Sequence, residues 1–420
     1  MRVVFSTYGS LGDVYPFLAI AQELCKQGVT CVFITNDSNV DAVQNAGFEA
    51  HGVVTDAIVL FERAGLKGEA AIEATRKSIS RFWRIVMPAF SGNLDKVEAL
   101  VGNASAIVGP PWAFNAQSVA EKKGIPFVGA HLWPLGLLSA FDPPVLRDIP
   151  GLIQTPASKP AIIWNRLVIH CAKQAMKLMF AKYLNPPRQA YGLGKLSRTP
   201  VLDFQLKPAR ILGLYSAEFA PRPPDIPEAV DLTGFPIIDD PVRTSDPELD
   251  AFMEGEPIVF TLGSILSENP GEFYENSVAA VQSLGLKALV LTKEPHLVSK
   301  SEGILVRGYV PHSAVFPRAR IIVHHGGIGT TAQALIAGKP QMVVPHFGDQ
   351  PDNAARLERL GVARILASNV YSPASAATVL SGILSSEPMM TRAAFLRSRI
   401  KGEAGAARAA QIIYGLIRNG

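Results

Sequence analysis

YVPHSAVFPRARIIVHHGGIGTTAQALIAGKPQMVVPHFGDQ, residues 309–350, lays out a strand, a glycine turn, a helix and a second strand in close succession. Ile321, Ile322 and Val323 form a short β-branched run ending at His324 and His325, as a buried parallel strand does when it delivers its carboxyl end to a crevice. Gly326, Gly327 and Gly329 let the backbone turn, and Thr330 or Thr331 then caps a helix that continues through Ala332, Ala334, Leu335 and Ala337 to Gly338. The free amides of such a helix start favour a phosphate, and His325 stands at the turn with an imidazole N–H in reach of a phosphate oxygen. Read alone, the glycines serve equally well for close helix–strand packing. The second strand, Gln341 to Pro345, tips the reading: it ends at His346 and is followed by Asp349 and Gln350, a carboxylate and an amide suited to sugar hydroxyls. The stretch reads as a grip for a nucleotide that carries a sugar.

The same alternation recurs upstream. Strands are expected at Val3–Ser6, Val29–Thr35, Ala106–Val108, Phe127–Gly129 and Ile211–Leu214, with helices at Pro16–Gly28, Asp41–Ala46, Ile72–Met87 and Ala113–Lys123. A second series restarts with a strand at Pro257–Leu262, a helix at Glu272–Leu284 and a strand at Ala288–Thr292. Two strand–helix series predict an α/β protein with two doubly wound parallel-sheet domains. Between them FAPRPPDIPEAVDLTGFPIIDDPV is rich in proline and reads as an extended connection. The expected division is therefore 1–218, a linker over 219–247, a second domain over 248–395, and a helical tail over 396–420 that returns to the first domain.

Composition sets outer limits. The 420 residues suffice for two cores, and 48% hydrophobic with 18% charged residues describes a well-buried globular chain. A net charge of +4, without basic runs interleaved with aromatics, gives no footprint for nucleic acid. Cys25, Cys31 and Cys171 have neither metal spacing nor a disulfide framework. The amino terminus reads as a strand rather than a signal peptide, and no apolar window spans a bilayer, so a cytoplasmic location is expected.

The first-domain turn, Thr7 to Val14, places Asp13 at the carboxyl end of the first strand. Its plain reading is a helix cap whose carboxylate satisfies free amides ahead of Pro16. Its functional reading is a general base.

On the residues H-H-G-G-I-G-T-T and G-D-Q the chain resembles the donor-binding signature of inverting glycosyltransferases of the GT-B fold, the UDP-glycosyltransferase family. The resemblance implies two Rossmann-like domains facing across a crevice. It implies that His325 rather than His324 contacts the diphosphate, that Tyr309 or Val310 stacks on the base, and that Asp349 and Gln350 hold the sugar. Gly327, Gly329 and Thr330 add phosphate donors, joined by Ser10 and by Ser264 of the FTLGS turn. Plant members carry a glutamate for the ribose hydroxyls where this chain has Gln333, which loosens the demand for a ribose and admits dTDP. Gly12-Asp13-Val14-Tyr15-Pro16 matches the G-D-x-x-P of bacterial members, which makes Asp13 the catalytic base and His325 its catalytic counterpart at the leaving group. LLSAFDPPV, LYSAEFAPRPPDIP and VDLTGFPIIDD are similar to the bacterial rhamnolipid rhamnosyltransferase catalytic subunits.

The implied activity is single-displacement transfer of a hexose, from dTDP-rhamnose or UDP-glucose as co-substrate, to a hydroxyl of a lipophilic small molecule or lipid. No metal or other cofactor is expected, since no DxD-like site is present and a helix start with histidine replaces the cation. His131, Trp133, Leu137 and Phe141 of the apolar HLWPLGLLSAFDPPV loop are the candidate acceptor contacts. Residues 161–184 contain no acid and read as a basic amphipathic helix, either an ordinary surface helix or one that lines an acceptor tunnel or touches anionic membrane lipid at the inner face. Two other classes fit the same fold: a nucleotide-sugar epimerase, against which the large apolar 131–184 segment argues, and a non-catalytic lipid or nucleotide-sugar binding protein, against which Asp13 and His325 together argue.

Overall fold

A computed structural model describes residues 1–66, 79–146, 151–238, 246–263, 270–298, 301–308 and 310–419. The chain forms two units, Met1–Ile238 with Ala404–Gly420, and Asp239–Glu403.

The first unit is built on a seven-stranded parallel sheet: β1 Arg2–Ser6, β2 Thr30–Asn36, β3 Glu49–Val54, β4 Ala106–Gly109, β5 Phe127–His131, β6 Arg210–Gly213 and β7 Val230–Leu232, in the order β3-β2-β1-β4-β5-β6-β7. Val3, Val4, Phe5, Ile107 and Val108 are fully buried, because a parallel sheet covered on both faces takes apolar side chains on both. The strand order reverses between β1 and β4, so the loops leaving these two strands part and open a crevice. Residues 7–10 lie there.

The second unit carries β8 Ile258–Thr261, β9 Ala288–Leu291, β10 Ile304–Arg307, β11 Ile322–His324, β12 Gln341–Val343 and β13 Ala363–Ile365, all parallel and ordered β10-β9-β8-β11-β12-β13. Here the reversal falls between β8 and β11, which brings the turns after Thr261 and after His324 side by side.

Several sequence expectations shift. The first helix runs Leu11–Cys25 rather than starting at Pro16, because Ser10 and Asp13 form a capping box that starts the helix ahead of the proline. The proposed linker 219–247 is not one extended connection: β7 lies within it as the edge strand of the first sheet, and its last residue already starts the helix Pro247–Met253. Residues 239–245 lie outside the described residues. The tail is two helices, Glu387–Ile400 in the second unit and Gly405–Asn419 in the first, where Ala409, Ala410 and Ile413 join the core. Of the helix expected over Ile72–Met87, the described part is Ile79–Ser91. The basic helix is longer than the expected 161–184: it runs Lys159–Ala190, with the Ser158 hydroxyl accepting from the Ala161 N–H at its start. No described helix is long and apolar enough to cross a membrane.

Candidate active site

The helix Ile328–Ala337 starts on the β11 turn with Gly327 at its cap position and ends at Gly338 in the left-handed region. Neither Thr330 nor Thr331 caps it; both lie inside its first turn and a half and are buried. The two adjacent histidines have separated roles. The buried His324 meets Gln341 Oε1 through Nε2 at 2.9 Å and accepts the Gly326 N–H at Nδ1 over 3.1 Å, so both ring nitrogens are used by the fold. That pattern fixes the neutral ring with its proton on Nε2. Burial holds its pKa down at about 4.

His325 stands free of such bonds, and its Nδ1 has no hydrogen-bond partner. The ring lies over two glycines contributed by neighbouring strand ends: a Cβ on Gly327 would sit 2.4 Å from Nε2, and one on Gly263, at φ +69°, would sit 2.6 Å from Cε1. Only glycine at both positions leaves room for the imidazole in this pose. Burial first, then the neighbouring His324, His346 and His312, hold its pKa well below the usual imidazole range. A neutral imidazole offers one N–H donor, and it stands beside the open amides of a ten-residue helix.

The loop after β12 is tied to this turn by a residue the sequence reading passed over. Asn353 Nδ2 donates to the Gly326 carbonyl at 2.9 Å and to Asp349 Oδ2 at 2.6 Å, so one side chain joins the glycine turn to the acidic end of GDQ. Its spacing, four residues after Asp349 on a helix, was the available signal. Gln350 is buried, and its Oε1 accepts from the His346 and Phe347 N–H groups at 2.8 and 3.2 Å. Its carbonyl oxygen therefore shapes the loop, and the amide nitrogen is the end left for a ligand. Gly329 is exposed and Gln333 half-buried on the same helix, and Val310 is half-buried beyond β10. Ser264 and Tyr309 lie outside the described residues.

In the first unit Asp13 occupies the third position of its helix. Its Oδ2 accepts from the Ser10 N–H at 2.7 Å and the Ser10 hydroxyl at 3.0 Å, and Thr7 donates to its carbonyl at 3.0 Å. Ser10 is thus the cap and Asp13 its reciprocal partner: Asp13 is not itself the cap, its Oδ2 satisfies the Ser10 N–H, and Oδ1 has no hydrogen bond among the described residues. Burial raises its pKa to about 6 against the lowering effect of the two Ser10 bonds. Asn36 and Asn39, also passed over, hold the loop: Gly9 N–H donates to Asn36 Oδ1 at 3.2 Å, and Asn39 Nδ2 donates to the Gly9 carbonyl at 2.9 Å.

The expected acceptor residues divide. Trp133 stacks on Trp112 with centroids 5.1 Å apart, and Trp112 Nε1 donates to the Tyr8 carbonyl at 3.0 Å, which couples the apolar loop to the turn that carries Asp13. Leu137 and Phe141 are half-buried, the latter under Arg166. His131 is buried edge-on to Phe204 and beneath Gly136, with its pKa pushed down to about 3 by burial and then by Lys173. It packs beneath the loop that carries Trp133.

These neutral histidines set an acid sensitivity. A folded-state pKa below the unfolded value means the unfolded chain binds more protons, so stability falls with pH through that window. For His324 the window runs from 6.5 to about 4, a loss on the order of 3 kcal/mol by the bottom of it. Asp13 acts oppositely, its raised pKa favouring the folded state as pH drops through 6. Urea midpoints should fall between pH 6.5 and 4.5, and more shallowly in His324→Gln; equal slopes would contradict the assignment.

Comparisons with known proteins match both units to glycosyltransferase domains. Residues 3–137 match the glycosyltransferase family 28 N-terminal domain, and residues 279–414 match the erythromycin biosynthesis protein CIII-like C-terminal domain. A sterol 3-beta-glucosyltransferase of Saccharomyces cerevisiae is 28% identical over 97% of the chain, which spans 34% of that longer protein. The O-mycaminosyltylonolide 6-deoxyallosyltransferase of Streptomyces fradiae is 28% identical over 97% of the chain and 94% of its own length. The solved structure of the kitacinnamycin glycosyltransferase superposes with a TM-score of 0.73 at 21% identity over 99% of both chains, a likeness of fold. With each unit matched by a glycosyltransferase domain model and both sheets wound as that fold requires, the chain has the GT-B fold and is similar over nearly its whole length to members of the UDP-glycosyltransferase family.

Proposed function

We propose that the protein transfers a hexose from a nucleoside diphosphate sugar to a hydroxyl of a lipophilic acceptor, by one displacement with inversion. The observation that carries this reading is the seating of His325: a neutral imidazole held over Gly263 and Gly327 at an open helix start, a built cradle for a diphosphate. As the glycosidic bond breaks, negative charge grows on the leaving diphosphate, and fixed N–H donors stabilise it without reorganising. On the acceptor side a hydroxyl attacks only as its proton leaves, and the open Oδ1 of Asp13 takes that proton. Asp349 and the amide of Gln350 are assigned to the sugar, Ser10, Gly329 and Thr330 to the phosphates, and Trp133, Leu137 and Phe141 to the acceptor. Gln333 in place of a carboxylate favours dTDP over UDP, and the relatives' names, deoxyallosyl and glucosyl, cover both a deoxyhexose and glucose. Those relatives are named as transferases to a sterol and to O-mycaminosyltylonolide, which supports transfer over epimerisation or simple binding.

A thermal-shift panel of nucleotide sugars, dTDP-rhamnose and UDP-glucose included, identifies the donor as the one that raises Tm in proportion to the logarithm of its concentration. The product anomer from that donor should be inverted; a retained anomer would defeat the single displacement. The pH profile of kcat/KM should bend near 6 and lose about tenfold per unit below it, since protonated Asp13 cannot accept a proton. A flat profile from pH 7 to 5 would remove Asp13 from the role.

A further inference from the structure

The helix Lys159–Ala190 carries apolar residues on two opposite sides, one buried and one exposed. Its inner face is supplied by Asn165, Ile169, Phe180 and Leu184, all buried. Asn165 fastens it to the preceding loops, donating to the Ala140 and Ile153 carbonyls and accepting from the Ile153 N–H. At about 100° per residue, Ile163, Trp164, Leu167, Cys171 and Leu178 fall in one ~100° arc on the opposite, outward side, interrupted there by the uncharged Gln174. Ile163, Trp164, Leu167 and Leu178 are 64%, 49%, 54% and 79% exposed, and Ile153, beside the helix start, is 42% exposed. Monomeric soluble surfaces rarely gather so many large apolar side chains in one strip.

The charge around the strip names its occupant. Lys159, Arg166, His170 and Lys177 run along one edge, and Lys182 lies on the other. From residue 149 to residue 202 the chain contains no aspartate or glutamate. An exposed apolar strip with an indole in it, bordered by cations and free of acids, is complementary to an anionic bilayer surface: the side chains enter the acyl boundary and the cations meet the headgroups. Leu178 and Trp164 lie fourteen positions apart, about 21 Å along the helix, so the helix would lie flat in the interface. We propose that this helix docks the protein onto anionic lipid membrane, with Ile163, Trp164, Leu167 and Leu178 inserted.

Co-sedimentation of the full chain with vesicles tests this without donor or acceptor. Vesicles of phosphatidylcholine with about 30% phosphatidylglycerol should bind the protein at least tenfold more tightly than pure phosphatidylcholine, and about 0.5 M salt should remove most of that difference. Ile163→Ser/Leu167→Ser/Leu178→Ser, all at exposed positions, should fold normally by circular dichroism and bind anionic vesicles at least tenfold more weakly. Trp164 fluorescence should shift to the blue on binding, with vesicles and not with salt alone. Unchanged binding by the triple variant, or no preference for anionic vesicles, overturns the proposal. So does sedimentation velocity showing a dimer that the triple variant dissolves, since the strip would then belong to a second copy of the chain.

Discussion

Asp13→Asn is expected to lower kcat by about 10³-fold while leaving donor affinity within a factor of two. General base assistance contributes roughly 10²- to 10⁴-fold, and an amide of the same shape cannot accept the acceptor's proton. The fold should tolerate the change well. The substituted amide keeps an oxygen for the Ser10 N–H and hydroxyl, so the capping box survives. Burial already pushes the native carboxyl up to about 6, which means that at neutral pH the folded chain bears an unfavourable charge there. Removing that charge should leave Tm unchanged or raise it, the stability–activity opposition expected where a group is kept for chemistry. Asp13→Asn with full turnover would refute the base assignment. A lower Tm with proportionally lower activity would instead reveal a purely capping carboxylate. Ser10→Ala separates the two roles, since it removes one of the two bonds that hold Oδ2 and should cost stability while raising the pH at which kcat/KM bends.

The parts of the fold that were legible are those where a single physical preference dominates. RVVFS, AIVG, IVFT and ALVL are uninterrupted apolar runs bounded by turn residues, and all four are central strands. The strands that the pattern does not announce are the four sheet edges. β3, EAHGVV, carries a histidine and a glycine; β7, VDL, and β13, ARI, have three residues each; β10 includes Arg307, paired with Asp246 and Glu248. An edge strand faces solvent on one side and so takes polar residues, which removes the pattern that would announce it. β7 was further disguised by the prolines around it.

In the candidate site the glycine turn and both acids could be read because backbone geometry demands those residue types there. The cross-braces could not. Asn353 matters because it reaches Gly326, 27 positions away, and Asn39 because it reaches Gly9, 30 positions away. The i, i+4 spacing of Asn353 from Asp349 announces that one bond, but nothing local in either asparagine's surroundings announces the long-range brace to a glycine carbonyl. The division of labour between His324 and His325 likewise depends on Gln341 in the adjacent strand, a partner that only the β11–β12 register supplies.

That division leads to the second large effect. His325→Ala should lower kcat by about 10²- to 10³-fold, the usual loss for one fixed donor at a developing charge, and weaken nucleoside diphosphate binding as well. Gly327→Ala should do nearly the same without touching the imidazole, because its Cβ would fall 2.4 Å from Nε2 and must displace the ring. Gly327 has φ −61°, which alanine adopts freely, so the substitution brings crowding without backbone strain. An alanine at the helix cap costs only about 1 kcal/mol of stability. Gly263→Ala adds strain to the same crowding, since φ +69° is disfavoured for any residue with a Cβ, and should lower Tm more than Gly327→Ala does. The decisive comparison is the cycle. If both substitutions act by unseating one imidazole, Gly327→Ala/His325→Ala should lose no more than His325→Ala alone, whereas independent sites would multiply their losses. Calorimetric titration with the nucleoside diphosphate of the donor the thermal-shift panel selects, alongside turnover, reads both quantities. Wild-type affinity and turnover in Gly327→Ala would show that the cradle does not hold the diphosphate through His325, and multiplicative losses in the double variant would show that Gly327 acts through its own amide instead.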